Sequence, residues 1–527
     1  MSSSNLINKK LFPIQNNILF TLLIIGLIGF SLRLYFFDFE IPINNDALGF
    51  FFYAADASFF GNLPPNYSPA NNGWPALLSI IFSFFKFEDT ISYMNVQRLT
   101  SVIISSVTII PLFYLCNRFF EKKYCIVAVC IFAFEPRLIQ NSLLGIGDPL
   151  YIFLLTSSLA FFLSSSKKLI YFSFIICGLA TLVRSEGLFL FLSLSIIFFI
   201  RFRKDKLIIF KYFFILSIFV LILFPMALYK IDATGTDNFI MRIIASTSNF
   251  SNISVENNTN SSVSIITGIE NFPKYLGWDL IPIFIFFVPI GFFMIFKDRT
   301  YQSLLVISSL ILMSLPAFYA YSVPLLETRY FYFLYPLFCV VSIYPIKKLV
   351  DKFREQNIIL LLIFFILILS ITFLIFKMDV SHEQDAFFIA SYISKIATGV
   401  NEYSPESTYL ETIDIPPKWI DFKNYFIEER FFNTSIRSMI DHKTTIFSTH
   451  DFNSLENFIL VHKENGLSHL VIDDNNRSNF LHDIFIHEEE YPYLIKQFDS
   501  KDEDNIYNVK IFKIDYDKFE LLYDNIE

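Results

Sequence analysis

Long apolar runs separated by short polar loops set the pattern of the first two-thirds of the chain. The runs are about twenty residues long, enough to cross roughly 30 Å of hydrocarbon as a helix. Hydropathy predicts roughly eleven spans, with limits near 17–37, 97–119, 124–136, 149–164, 169–183, 187–200, 208–229, 280–296, 302–322, 330–346 and 357–377. Trp74–Phe87 is apolar but shorter than a crossing, and its pattern fits an interfacial or re-entrant helix. Beyond residue 377 the pattern becomes that of a soluble domain. Thr444–Ser448 reads as a strand, Ser454–Asn465 as a helix stopped by Gly466, and Leu467–Ile472 as a second strand, together a βαβ unit. Two more strands follow at Tyr493–Phe498 and Tyr507–Ile514, joined by the polar run Asp499–Asn505. The expected fold is a polytopic all-α membrane domain over 1–377, followed by a soluble α/β domain over 378–527.

Charge orients these spans, because short cytoplasmic loops collect Lys and Arg. Alternate loops do so here: Lys9/Lys10, Arg118/Lys122/Lys123, Lys167/Lys168, Arg201/Arg203/Lys204/Lys206, Lys297/Arg299 and Lys347/Lys348/Lys352/Arg354. That set is expected to be cytoplasmic, with the N-terminus, and the tail extracytoplasmic. The opposite loops hold Asp38, Glu40, Asp46, Asp56, Glu135, Asp148, Glu186 and Glu327, so chemistry is expected on that face. The loop near 230–279 also carries sequons headed by Asn249, Asn252, Asn257 and Asn260.

Composition agrees with a lipid-solvated protein. Of 527 residues, 54% are hydrophobic and 17% charged, against about 25% charged in an ordinary soluble domain. The net charge is −8, and the acidic residues concentrate in the tail, which disfavours nucleic acid as a partner. The five cysteines lie in or beside apolar spans, so disulfides do not hold the tail together.

Two acidic islands stand out on the outer face. Asn44-Asn45-Asp46 starts a short helix that continues through Tyr53-Ala-Ala-Asp56. Asp46 is a candidate general base beside the headgroup layer; an ordinary helix cap is the plain alternative. Glu135-Pro-Arg137 through Gly147-Asp148-Pro149 forms the second island, and Asp148 before Pro149 equally suits an N-cap. Arginines at span ends, Arg33, Arg98, Arg184 and Arg329, are costly near hydrocarbon unless paired or snorkelling. A planar guanidinium also matches phosphate oxygens. His450, His462, His469, His482 and His487 lack the spacing of metal ligands and read as surface residues; no metal site is expected. Gly-rich nucleotide loops are absent too, which favours a lipid-borne donor.

These segments together resemble the GT-C superfamily of integral-membrane glycosyltransferases, in particular its dolichyl-phosphate-mannose protein mannosyltransferase-like branch. The resemblance spans roughly residues 15–350 and rests on Asp46 with Tyr53-Ala-Ala, Gly73-Trp-Pro75-Ala-Leu-Leu, Gln97-Arg98-Leu, Asp148-Pro149-Leu, Gly178-Leu-Ala-Thr-Leu-Val-Arg184-Ser-Glu186-Gly187 and Arg329-Tyr330 through Tyr335-Pro336. The acidic pair usual in the first loop is Asn45-Asp46 here, leaving one carboxylate at the base position.

The resemblance implies inverting transfer of a sugar from a polyprenyl phosphate to a protein or lipid-linked glycan acceptor. It implies Asp46 as general base, Asp148 orienting acceptor or base, and Arg98, Arg184 and Arg329 on the donor phosphate. No cofactor is implied, and a divalent metal requirement stays open. The rivals are an oligosaccharyltransferase, whose Trp-Trp-Asp signature is missing (the tail's only Trp is Trp419), and a transporter or lipid flippase. A transporter would place ionisable groups near the midplane and repeat its hydropathy in two halves, and neither is visible.

Overall fold

The structure is a computed structural model that describes residues 16–43, 45–60, 71–87, 90–234, 265–323, 325–353, 357–398, 408–411, 446–448, 452–474, 479–503 and 506–523. The four sequons, Trp419 and His450 lie outside the described residues. The chain divides into two compact units: 1–37, 57–85 and 96–378 form the first, and 38–56, 86–95 and 379–527 the second.

The apolar runs fold mostly as helices, with turns over 281–287 in one of them, because a helix is the only single-segment way to satisfy the backbone in lipid. In chain order they are α1 (Asn16–Tyr35), α2 (Asn45–Phe60), α3 (Gly73–Phe82), α4 (Thr90–Val107), α5 (Ile109–Cys116), α6 (Lys122–Ala133), α7 (Pro136–Leu143), α8 (Asp148–Phe162), α9 (Lys167–Val183) and α10 (Gly187–Arg201). Then come α11 (Ile208–Thr234), α12 (Ile265–Leu280), α13 (Val288–Lys297), α14 (Tyr301–Ser322), a 3₁₀ turn (Thr328–Leu334), α15 (Tyr335–Phe353), α16 (Asn357–Lys377) and α17 (Ser381–Thr398).

Among the described residues six helical stretches are long and apolar enough to cross a membrane, or seven if the bent pair α6–α7 counts as one. Other expected spans fall on shorter apolar helices, among them α8, α10 and α13. Helix α8 is 15 residues, roughly 22 Å at 1.5 Å per residue, and nearly every side chain on it is buried in protein. Hydropathy cannot separate burial in protein from burial in lipid. Only 11% of Ile208–Tyr229 is buried, with Phe210, Phe213 and Leu221 exposed, whereas 72% of Thr328–Phe353 is buried. The first unit thus has lipid-facing helices and an inner set that includes α6, α8 and α15. The α3 segment is a ten-residue helix, too short to cross.

The tail of the second unit carries a five-stranded sheet of order β2-β1-β3-β5-β4, formed by β1 (Thr408–Glu411), β2 (Ile446–Ser448), β3 (Leu467–Asp473), β4 (Leu494–Asp499) and β5 (Val509–Ile514). Strands β2, β1 and β3 run parallel; β5 pairs antiparallel with β3 and β4. Among the described residues of this part there are also three helices, α18 (Leu455–Lys463), α19 (Asn479–Ile486) and α20 (Tyr516–Tyr523). The Ser454 hydroxyl caps α18 by accepting from the Asn457 amide, and Gly466 follows it with φ +85. Leu470, Ile472, Ile484, Phe512 and Phe519 meet in the core. The expected βαβ strands are parallel but not neighbours, because β1, which the sequence reading missed, lies between them. All five cysteines are free and buried. His469 is a correction to the surface reading: it is buried in β3, and burial pushes its imidazole down to about 4.

Candidate active site

Three residues at helix ends of the first unit converge on one buried ion cluster. Helix α9 stops at Val183, Arg184 turns into extended backbone, and Glu186 immediately precedes α10. Asp148 occupies the first turn of α8, beside Pro149. Arg184 Nη1 bonds Asp148 Oδ1, while its Nη2 and Nε donate to Glu186 Oε1 at 2.7 and 3.2 Å. The three side chains are only 18%, 9% and 12% exposed for Arg184, Asp148 and Glu186. Asp148 makes no side-chain cap on α8, so its capping reading gives way to pairing with Arg184. The second oxygen, Oδ2, is buried without a hydrogen-bond partner, and so is the hydroxyl of Tyr151 one turn along the same helix. Two carboxylates around one guanidinium leave the cluster with a net negative charge.

The loop before Asp148 is locked to its neighbours. The Gly145 carbonyl accepts from Trp74 Nε1 at 3.0 Å and from Gln97 Nε2 at 2.8 Å. Gly145 has φ +74, and a Cβ there would stand 3.1 Å from Arg98 Cγ. The Arg98 guanidinium in turn lies over the Phe37 ring, 4.7 Å from its centre. Gly145→Ala is therefore expected to destabilise the protein by roughly 1–2 kcal/mol, the usual size of left-handed strain, and to lower activity by displacing Asp148. Thermal unfolding and turnover of the purified variant measure both.

The remaining arginines have other partners. Arg329, in the 3₁₀ turn, pairs with Glu327. Arg33 is structural: its Nη1 donates to the carbonyls of Gly29 and Ala133 at 2.9 and 3.0 Å, and its Nη2 to Ser105 Oγ at 3.1 Å, tying α1 to α4 and α6. Asp46 stands exposed in the first turn of α2 and belongs to the second unit.

Sequence reasoning missed a further buried group. Asp279 Oδ1 accepts from the Tyr335 hydroxyl at 2.9 Å, while its Oδ2 and both Glu135 oxygens have no hydrogen-bond partner. Burial pushes the Asp279 carboxyl up to about 8. Arg137 beside them donates to the Ile281 and Trp278 carbonyls at 3.2 and 2.5 Å. Asp279 gave no signal in the sequence because it is a lone carboxylate at the end of α12, outside any motif.

Among the described residues no three His, Cys, Asp or Glu side chains gather as a metal site. No protein-family model matches the chain, and no curated protein matches it in sequence. Solved structures do match in fold. The Archaeoglobus fulgidus oligosaccharyltransferase in complex with Zn and sulfate aligns with TM-score 0.56 at 12% identity, over 93% of this chain and 72% of that one. AglB from the same organism, in complex with an inhibitory peptide and a dolichol-phosphate, aligns with TM-score 0.50 at 13% identity over 87% and 69%. ArnT from Cupriavidus metallidurans, bound to undecaprenyl phosphate, aligns with TM-score 0.56 at 10% identity over 95% of this chain and 98% of that one. The chain is a membrane protein with the GT-C fold, the fold of these polyprenyl-phosphate-linked glycosyltransferases and oligosaccharyltransferases.

Proposed function

We propose that this protein is an inverting glycosyltransferase that takes a sugar from a polyprenyl phosphate and delivers it to a hydroxyl or amine of a protein or lipid-linked glycan. The observation that carries this reading is the buried Asp148–Arg184–Glu186 cluster, with an unpartnered Asp148 oxygen, in a fold whose solved relatives include proteins bound to undecaprenyl phosphate and dolichol-phosphate.

In this reading the acceptor attacks the anomeric carbon from the face opposite the phosphate. Its proton passes to the Asp46 carboxylate as the bond from sugar to phosphate oxygen breaks, and polyprenyl phosphate leaves with the bonding pair. Charge grows on that phosphate, so a cation placed there stabilises the transition state more than the ground state. Arg98 and Arg329 take that role. Arg184, already engaged by two carboxylates, has little net charge to offer a phosphate and instead holds Asp148 in place. Asp148 Oδ2 is then available to orient the acceptor. The basic loops face the cytoplasm, and the site and tail face outward.

Purified full-length protein in lipid, incubated with a panel of radiolabelled polyprenyl-phosphate sugars, tests the proposal. Release of free polyprenyl phosphate with one sugar is expected. Turnover of only pyrophosphate-linked oligosaccharides would move the protein to the oligosaccharyltransferase reading, and turnover of neither would remove the proposed chemistry.

A further inference from the structure

The basic end of the first unit contains a cavity that the proposed reaction does not use. It measures about 390 Å³ and is lined by Arg118, Lys347, Lys348, Tyr344, Asp298 and Asp351, among others. That is room for roughly a dozen waters, enough for a hydrated phosphate with its ester substituent. The chain builds it from helix ends. Arg118 follows the last turn of α5, Asp298 follows α13, and Lys347 and Lys348 stand in the second half of α15, whose closing turns favour cations.

The two carboxylates are engaged by the walls. Asp298 Oδ2 accepts from Ser303 Oγ at 2.8 Å, and Asp351 Oδ1 accepts from the Tyr124 hydroxyl. Arg118 is different: its Nε is buried without a hydrogen-bond partner. Arg201, which gives its own donors to the Phe162 and Ser164 carbonyls, lies within electrostatic range of Arg118 and adds to the positive potential. A buried guanidinium nitrogen without an acceptor, three cations against two carboxylates, and space for a tetrahedral anion together call for a phosphate, whose oxygens match the planar Arg fork. The flanks favour a lipid source. Phe293 and Phe296 on α13 and Leu349 and Phe353 on α15 are exposed apolar side chains, and Phe120 packs edge-on against Tyr344 with ring centres 4.9 Å apart.

We infer that this cavity binds the phosphodiester headgroup of an anionic membrane lipid, with Arg118 as its inner ligand and Lys347 and Lys348 at its rim. Such basic pockets between helix ends are a general way for membrane proteins to hold anionic headgroups. The site is independent of the glycosyl-transfer reading and stands whether or not that reading survives.

The test uses full-length protein in nanodiscs of phosphatidylcholine, titrated with a fluorescent phosphatidylglycerol. Arg118→Gln and the pair Lys347→Gln/Lys348→Gln should each weaken phosphatidylglycerol binding about ten- to hundredfold, the range for a lost charge-assisted hydrogen bond. Lys352→Gln, on the same helix but outside the lining, should leave binding unchanged. Should Arg118→Gln fail to fold, the lysine pair decides alone, since both line the cavity and neither is buried. Wild-type affinity in a folded rim variant would overturn the inference. So would displacement of the lipid by millimolar inorganic phosphate with equal retention in phosphatidylcholine alone, which would make the ligand a soluble anion.

Discussion

Asp46→Asn is expected to lower turnover by roughly 10²–10⁴-fold, the usual size of a lost general base, with folding and donor binding near wild type. The substitution keeps the shape of the side chain and its capacity to cap a helix, because Asn caps about as well as Asp. It removes only the ability to accept a proton. Asp46 stands exposed in the first turn of α2, where a negative side chain favours the helix by no more than about 1 kcal/mol through its dipole. A merely structural role therefore predicts a nearly silent variant. Turnover with the polyprenyl-phosphate donor, measured beside thermal unfolding and donor binding, separates the two; retention of more than about a tenth of wild-type turnover would rule out the base assignment. Asp148→Asn is no silent control for this experiment, since it alters the ion pair with Arg184.

How much of this was legible in the sequence depends on which interaction fixed each residue. Local patterns carried well. The helix at Asn45, Pro149 in the first turn of α8, Gly466 after α18 and the β4–β5 hairpin all follow from short-range rules of capping, fixed proline φ and alternation. Hydropathy alone could not separate α8, nearly all of whose side chains are buried in protein, from α10, which keeps Leu192, Ile196, Phe199 and Ile200 exposed. Strand β1 is four residues in a polar stretch and becomes part of the sheet only through its neighbours on both sides. Arginines were the most ambiguous. An arginine at a span end shows that a partner exists, not which one: Arg33 chose backbone carbonyls, Arg184 two carboxylates, and Arg98 an aromatic ring. Arg33 bonds the Ala133 carbonyl 100 residues on, and Asp148 pairs with Arg184 36 residues on, separations that no periodicity encodes.

Arg184→Ala should destabilise the protein by about 3–5 kcal/mol, the range for breaking a buried ion pair by removing one partner. The loss comes chiefly from what remains. Asp148 and Glu186, 9% and 12% exposed, would be left as two carboxylates without their shared cation. Neutralising them in the same background, as Arg184→Ala with Asp148→Asn and Glu186→Gln, should return a large part of the stability, because uncharged amides are far cheaper to bury than unpaired carboxylates. That recovery distinguishes the two roles open to this arginine. A group that holds Asp148 in place predicts a drop in unfolding temperature that the double neutralisation relieves, with donor affinity in the folded fraction close to wild type. A direct phosphate ligand predicts the opposite: modest loss of stability and a large loss of donor affinity that neutralising the carboxylates does not repair. Thermal unfolding of wild type, Arg184→Ala and the triple variant, read beside binding of a polyprenyl-phosphate sugar, decides between them, and an unchanged unfolding temperature in Arg184→Ala would remove the positioning role.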